Sequence, residues 1–128
     1  MGDYDSALKY SLLADKYSAN LNQRARSYYL ASAAYRSKAQ KKGSVPQDKI
    51  NALLFINKAL RLIKDSRLEG KWSAKIFFNA GALKYDLFSD IKASQKYYKS
   101  ALHFFPEGSD DYTRVNIRLI RSMLESGG

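Results

Sequence analysis

The chain has 128 residues, of which 45% are hydrophobic, so it is long enough for one domain with a single core. It contains no cysteine and one histidine, which excludes disulfides, thiolate metal sites and multi-histidine metal sites. Its formal net charge of +10 favours contact with anionic partners.

The N-terminal sequence Met-Gly-Asp-Tyr-Asp is polar and acidic, which is not the pattern of a signal peptide. No apolar run approaches the roughly 20 residues that a membrane-spanning helix needs. We therefore expect an intracellular protein, with the cytoplasm as its compartment.

Apolar residues recur along the chain at the spacing of a helix and not of a strand. The clearest example is Ile50, Leu53, Leu54 and Leu60, preceded by Pro46 at a position where a helix tolerates a missing N–H. Six helices are predicted, and their short connections favour antiparallel neighbours. They cover residues 3–18, 21–41, 46–65, 70–87, 89–105 and 109–125.

Residues 74–106 combine small and aromatic residues at fixed intervals, and a proline ends the segment. Small residues allow two helices to approach closely, and each aromatic ring fills the gap between one hairpin and the next. The positions are Phe78, Ala82 and Tyr85 in the first helix, followed by Ser94, Tyr98, Ala101 and Pro106. This stretch resembles a tetratricopeptide repeat over nearly its whole length.

Two partial copies of the pattern precede this unit. The segment from Gly2 to Ala7, followed by Ala14, looks like the turn and second helix of a repeat. A first and a second helix are matched by Tyr28, Ser32 and Tyr35 and by Ala52, Ile56 and Ala59. The spacing there is longer than the family's. Either the two helices are extended, or that hairpin is only similar to the family.

The resemblance implies an all-α fold, in which antiparallel hairpins stack into a right-handed solenoid and the last helix acts as a cap. We expect one such domain over residues 1–128. The start at Gly2 within a repeat and the ending Ser126-Gly127-Gly128 suggest a piece of a longer protein. The alternative is another antiparallel helix bundle, in which small and aromatic residues recur by chance.

Residues suited to catalysis are sparse and have structural explanations. Asp110 and Asp111, like Asp3 and Asp5, lie at predicted helix starts, where the helix dipole favours acids. His103 lies within a predicted helix, and no glycine-rich loop is available to cradle a phosphate. We therefore expect neither an enzyme nor a bound metal or cofactor.

In the family that this chain resembles, the first helices of successive hairpins line a concave groove that holds an extended peptide or a helix. The family's groove-facing offsets correspond here to Arg26, Tyr29, Leu30, Ala33, Arg36, Ile76, Asn79, Leu83, Asp86, Arg114 and Arg118. An asparagine in such a groove can hydrogen-bond a peptide backbone, and arginines at its rim can fork onto a carboxylate. Chaperone-binding members use a two-carboxylate clamp, but Tyr29 and Ala33 replace its first lysine and asparagine. The alternative is that these side chains simply face solvent.

The last predicted helix carries more apolar residues than a cap requires. Tyr112, Val115, Leu119 and Met123 form one stripe that is expected to face the preceding hairpin. Ile117, Ile120 and Leu124 extend the apolar arc and form a candidate terminal-helix apolar patch. Such a patch suggests a partner, a homodimer contact or a further segment of a longer protein. The alternative is that Ile117 and Leu124 are buried under the long middle helices.

Residues 19–67 carry a net formal charge of +9, from eleven basic and two acidic residues. Besides Arg26 and Arg36, the candidate basic patch consists of Arg24, Lys38, Lys41, Lys42, Lys58, Arg61 and Lys64. It is either an ordinary solvated helix face or a surface that attracts an acidic peptide, a nucleic acid or a lipid headgroup.

The leading functional hypothesis is a protein–protein interaction module, an adaptor, scaffold or assembly subunit that binds a peptide or helix of another protein. A homodimer through the C-terminal helix is a second form of the same idea. The alternative is binding of RNA or another polyanion, or of an acidic membrane surface, through the basic residues of 19–67.

Overall fold

The computed structural model describes residues 20–126 and shows an all-helical arrangement. Within these residues there are five helices and no strand, which confirms the all-α prediction. The helices are α1 (Leu21–Ala39), α2 (Pro46–Leu62), α3 (Gly70–Phe88), α4 (Ile91–Leu102) and α5 (Asp110–Glu125). The predicted helix over residues 3–18 lies outside the described residues. None of the five helices is both long and apolar enough to cross a membrane.

Polar side chains fix where most of the helices begin. In α1, α4 and α5, a side-chain oxygen just before the first turn accepts a free backbone N–H of that turn. The donor–acceptor distances are 2.9 Å from Gln23 N to Asn20, 3.2 Å from Ala93 N to Asp90, and 3.1 Å from Tyr112 N to Ser109. Helix α2 begins with Pro46, and its Asp48 carboxylate accepts the N–H of Val45 at 3.1 Å.

The helix predicted over residues 89–105 is shorter in the structure, because Ser89 ends α3 in the left-handed conformation with φ 51°. The Asp90 N–H returns to the Lys84 carbonyl at 2.9 Å, as at many helix C-termini, and the Asp90 side chain then caps α4. Residues 103–105 form a turn beyond the end of α4. The helices predicted to end at residues 41 and 65 are also shorter in the structure, since α1 and α2 end at Ala39 and Leu62.

Two antiparallel hairpins, α1/α2 and α3/α4, make up most of the fold. In the first hairpin, the rings of Tyr35 and Phe55 stack with centroids 6.0 Å apart and planes 5° apart. In the second, the ring of Phe78 packs against that of Tyr98 at 6.0 Å. Gly81 permits this closeness, because a Cβ at that position would lie 2.6 Å from two carbons of the Tyr98 ring.

The helices α1, α3 and α5 run parallel to one another. Asn22, Ser32 and Arg36 in α1 contact residues that follow in the same order along the chain, namely Glu69, Asn79 and Asp86. Helix α3 packs against both helices of the first hairpin, and α5 packs mainly against α4. One core cluster joins α1, α2 and one side of α3, and a second joins α4, α5 and the opposite side of α3.

The close contact at Gly81 predicts a large effect from adding one methyl group. Gly81→Ala should lower the free energy of unfolding by about 1–3 kcal/mol, because the Tyr98 ring is fully buried and has no room to move. Gly70→Ala is the matched control: its Cβ would meet Phe104 at an ordinary 3.5 Å. That variant should be neutral or more stable by up to about 1 kcal/mol. Urea denaturation measures both, and equal effects at the two glycines would contradict the packing described here.

Candidate functional site

Three charged side chains from three different helices meet on the face formed by α1, α3 and α5, close to the C-terminal ends of α1 and α3. We call Arg36, Asp86 and Arg118 the central ionic cluster. The Asp86 Oδ2 atom lies 3.5 Å from Arg36 Nη1 and 3.6 Å from Arg118 Nη1. Their side chains retain 23%, 18% and 33% of their exposure, so all three are more than half-buried. One carboxylate therefore faces two guanidinium groups.

Aromatic residues of the second hairpin hold Arg118 in place. Its Nη1 atom donates a hydrogen bond to the Tyr98 hydroxyl at 3.3 Å. Its guanidinium also lies over the Phe78 ring, 5.7 Å from the centroid, where a cation is attracted to the π face. The same Tyr98 ring that rests on Gly81 thus positions a charge on α5.

Burial and charge act on the pKa values of this group in opposite directions. Burial lowers the pKa of Arg36, and the nearby Asp86 carboxylate opposes that effect. For Arg118, burial also acts to lower the pKa, but contacts with Tyr98 and Asp86 outweigh it and raise the pKa. Burial raises the pKa values of the Tyr98 and Tyr29 hydroxyls. In formal charge, the cluster consists of two guanidinium cations and one carboxylate anion.

Part of the hydrogen-bonding capacity of the cluster is unused within the described residues. Among residues 20–126, the buried Nε atom of Arg36 has no hydrogen-bond partner. A small open cleft beside the cluster is lined by Tyr85, Asp86, Tyr98, Arg118 and Arg121. A second carboxylate, supplied by a ligand, would match both the surplus charge and the planar donors of arginine.

The outer part of the same face is more exposed. Arg26 and Arg114 reach solvent, and Leu30 is 37% exposed. Within the described residues, Arg114 makes a surface ion pair, with 3.5 Å between its Nη1 and Asp111 Oδ1. Of the predicted groove residues, Tyr29, Arg36 and Arg118 therefore lie in the half-buried centre, and Arg26 and Arg114 lie at the rim.

The expectation that Ile76, Asn79 and Leu83 face a groove is wrong, because they are 0%, 2% and 0% exposed. Leu83 belongs to the core cluster with α1 and α2. The Asn79 amide donates to Ser32 Oγ at 3.0 Å, and Ser32 Oγ donates to the Ala52 carbonyl at 2.8 Å. Asn79 thus links three helices internally and does not hydrogen-bond a peptide.

The terminal-helix apolar patch is exposed. Ile117, Ile120 and Leu124 retain 52%, 51% and 77% of their accessible surface, so the alternative that Ile117 and Leu124 are buried is wrong. Val115 and Leu119 do face the preceding hairpin, as predicted. Met123 does not, since it is 41% exposed, and the fully buried Ser122 lies on that face instead.

Several residues of the basic patch contact other parts of the protein. Lys38 Nζ lies 3.7 Å from Asp48 Oδ1, and Lys58 Nζ lies 5.5 Å from the ring centroid of Tyr28. Arg24 Nη2 donates to the Tyr28 hydroxyl at 3.5 Å. The patch residues at exposed positions are Lys38, Lys41, Lys42, Arg61 and Lys64.

Sequence reasoning identified the arginines of the cluster but not what holds them. The Tyr98–Arg118 hydrogen bond and the Ser32–Asn79 link join residues far apart in the chain, and no local pattern indicates them. One sequence signal for the ionic cluster was available: Asp86 is the one acid among the predicted groove-facing residues.

Comparisons with protein-family models, with curated proteins and with solved structures found no match for this chain. The relation to the tetratricopeptide family therefore stays a prediction based on residue spacing.

The cluster geometry predicts unequal effects from removing two carboxylate charges. Asp86→Asn leaves two half-buried guanidiniums facing each other and should lower the free energy of unfolding by about 1–3 kcal/mol. Asp111→Asn removes the exposed partner of Arg114 and should cost at most about 1 kcal/mol. Urea denaturation at neutral pH compares the two variants. A loss at position 86 no larger than that at position 111 would mean that Asp86 does not neutralise the cluster.

Proposed function

We propose that this chain is a protein-interaction module that holds a peptide or helix of a partner protein across the face formed by α1, α3 and α5. The central ionic cluster is the observation that carries the proposal. Three parallel helices bring two guanidiniums and one carboxylate together on that face, with one buried donor left over. A segment of a partner that supplies an acidic side chain would complete the cluster.

The arrangement of the helices supports the same proposal. Two antiparallel hairpins and a fifth helix, with α1, α3 and α5 parallel, are what a stack of tetratricopeptide-like hairpins requires. We therefore propose a solenoid of this type, extended over the whole chain as one domain. Stacked hairpins of this kind form elongated concave surfaces, which suit extended ligands better than small molecules.

The rim residues add specificity to the charged centre. Arg26 and Arg114 lie at exposed positions on α1 and α5, each N-terminal to the cluster arginine of the same helix. Guanidinium groups bind carboxylates through two parallel hydrogen bonds, so they select Asp and Glu over Asn and Gln. The exposed part of Leu30 offers an apolar contact beside them. The favoured ligand is an acidic peptide segment with an apolar residue close to its acid.

We infer binding without a chemical step. Asp110 and Asp111 lie in the first turn of α5, where acids stabilise the helix dipole. His103 is exposed and follows directly after α4. The ends of α4 and α5 therefore account for the positions of these residues without a catalytic role. We also propose that the protein acts inside the cell.

A peptide-selection experiment tests the proposal. Peptides selected from a random library on the wild-type protein should contain Asp or Glu. Replacing that acid by its amide should weaken binding about tenfold or more, equal to about 1.4 kcal/mol. The double variant Arg26→Glu/Arg114→Glu should lose binding to the same peptides, measured by fluorescence anisotropy. The control Arg61→Glu/Lys64→Glu makes the same change of charge off this face and should retain binding. Equal losses in the two double variants, or selected peptides without acids, would count against the proposal.

A second candidate function is polyanion binding through residues 19–67, favoured by their net charge of +9. The exposed residues Lys41, Lys42 and Lys64 would then dominate binding to single-stranded RNA. Counterion release predicts a steep fall in affinity with salt concentration. Arg61→Glu/Lys64→Glu should then weaken RNA binding. If RNA affinity is flat between about 50 and 200 mM salt, this function is eliminated.

A further inference from the structure

The residues buried on the two faces of α3 can be compared with those at the same spacing on α5. Toward the preceding hairpin, α3 buries Ile76, Ala80 and Leu83, which are 0%, 1% and 0% exposed. Helix α5 repeats that spacing in Val115, Leu119 and Ser122, which are 0%, 7% and 0% exposed. The two helices therefore present the same side to the hairpin that precedes each of them.

The opposite faces of α3 and α5 differ in what covers them. On α3, Phe78 and Gly81 lie two and five residues after Ile76, and both contact Tyr98 of α4. The corresponding residues of α5, two and five after Val115, are Ile117 and Ile120, and Leu124 continues this face one turn later. All three are at least half exposed. Within residues 20–126, α5 is thus the first helix of a hairpin that has no second helix.

The N-terminal segment of the chain has the sequence of such a second helix. Residues 2–18 align without gaps to residues 89–105, which contain α4. The aligned pairs include Asp3 with the capping residue Asp90, Tyr10 with Tyr97, and Ala14 with the buried Ala101. Ala7 likewise aligns with the buried Ser94. The side of α4 that faces α3 is therefore reproduced in small residues within 2–18.

The sizes of the facing residues are also complementary. Where α3 has Gly81 and α4 has Tyr98, α5 has Ile120 and the N-terminal segment has Ser11. A tyrosine opposite Ile120 would collide, because even a Cβ on Gly81 would lie 2.6 Å from Tyr98. Serine removes that collision. The large residue is then on the first helix of the pair and the small residue on the second, which is the reverse of the arrangement in α3 and α4. We propose that the apolar face of α5 binds residues 3–18 of a second copy of this chain.

The segment that binds α5 comes from another copy of the chain, because residues 3–18 of the same copy cannot reach the open face of α5. Residues 3–18 join α1 through Ala19 and Asn20, and a link of two or three residues spans at most about 10 Å. The open face of α5 is separated from α1 by the width of α3 and of α5 itself. Each packed helix adds about 8–10 Å to the distance from α1. Docking within one chain would therefore require a span of about 16–20 Å, which exceeds the reach of this link.

This contact is head-to-tail, because it joins two different surfaces of the same chain. Each copy that receives a segment on α5 still has its own segment to offer, so the contact repeats into a ring or a filament. The segment 1–19 also contains three acidic and two basic residues, whereas residues 20–128 carry a net charge of +11. Its slight negative charge favours approach to the basic body of the next copy.

Complementation between two blocked variants tests the proposal on the chain of 128 residues. Sedimentation equilibrium of the wild type should show an average mass above the 14.5 kDa of one chain, rising with concentration. Ile120→Asp/Leu124→Asp blocks the receiving face, and Ala7→Glu/Ala14→Glu blocks the segment. Each should sediment as a monomer with a normal helical spectrum. An equimolar mixture of the two variants should form dimers that do not grow further, because one intact segment and one intact face remain.

The other outcomes would overturn the proposal. If Ala7→Glu/Ala14→Glu still associates while the α5 variant does not, α5 pairs with α5 in a symmetric dimer. If the wild type is monomeric up to about 1 mM, the α5 face belongs to a different partner. Leu54→Asp alters an exposed apolar residue of α2 with 49% exposure and should leave association unchanged. If it abolishes association, the contact lies elsewhere.

Discussion

The contact between Tyr98 and the bare backbone of Gly81 is the constraint on which the second half of the molecule depends. It brings α4 close to α3 and fixes the direction of the Tyr98 ring. The hydroxyl at the end of that ring then accepts a hydrogen bond from Arg118, which lies beside Asp86. A steric fit in the core of one hairpin thus determines where charges meet on the surface of three helices.

Polar groups, and not apolar packing alone, fix how the two hairpins are aligned. Ser32 and Asn79 join α1 to α3 in the interior, and Arg36 and Asp86 join them again toward the other end of the helices. Buried polar groups are costly when unpaired, so a sliding of one helix past the other would be penalised at both places. Among residues 20–126, the buried Oδ1 of Asn79 has no hydrogen-bond partner, and a buried acceptor without a partner is costly. The benefit is one definite register for the face that holds the ionic cluster.

The sequence predicted the helices well because their apolar spacing and their capping residues are local signals. It predicted three of the C-terminal ends two or three residues too late, at 41, 65 and 105, whereas α1, α2 and α4 end at Ala39, Leu62 and Leu102. The groove-facing positions were predicted from the resemblance to the tetratricopeptide family. In the structure, the side of α3 that carries Asn79 and Leu83 packs against α1 and α2, so both residues are buried, while Arg36 and Arg118 stay partly exposed. Contacts between residues that are distant in the chain determine such positions, and local sequence patterns do not predict these contacts.

Helix α5 combines two surfaces of opposite character on two sides. Arg114 and Arg118 contribute to the charged face shared with α1 and α3, and Ile117 and Ile120 form the open apolar face. If a second copy covers the apolar face, its own α1 follows directly after the docked segment. The charged faces of successive copies would then lie side by side in one continuous surface. A partner with several acidic segments would bind such an assembly more tightly than a single copy, because each further contact is intramolecular. Self-association and partner binding would therefore reinforce each other, although they use different sides of the same helix.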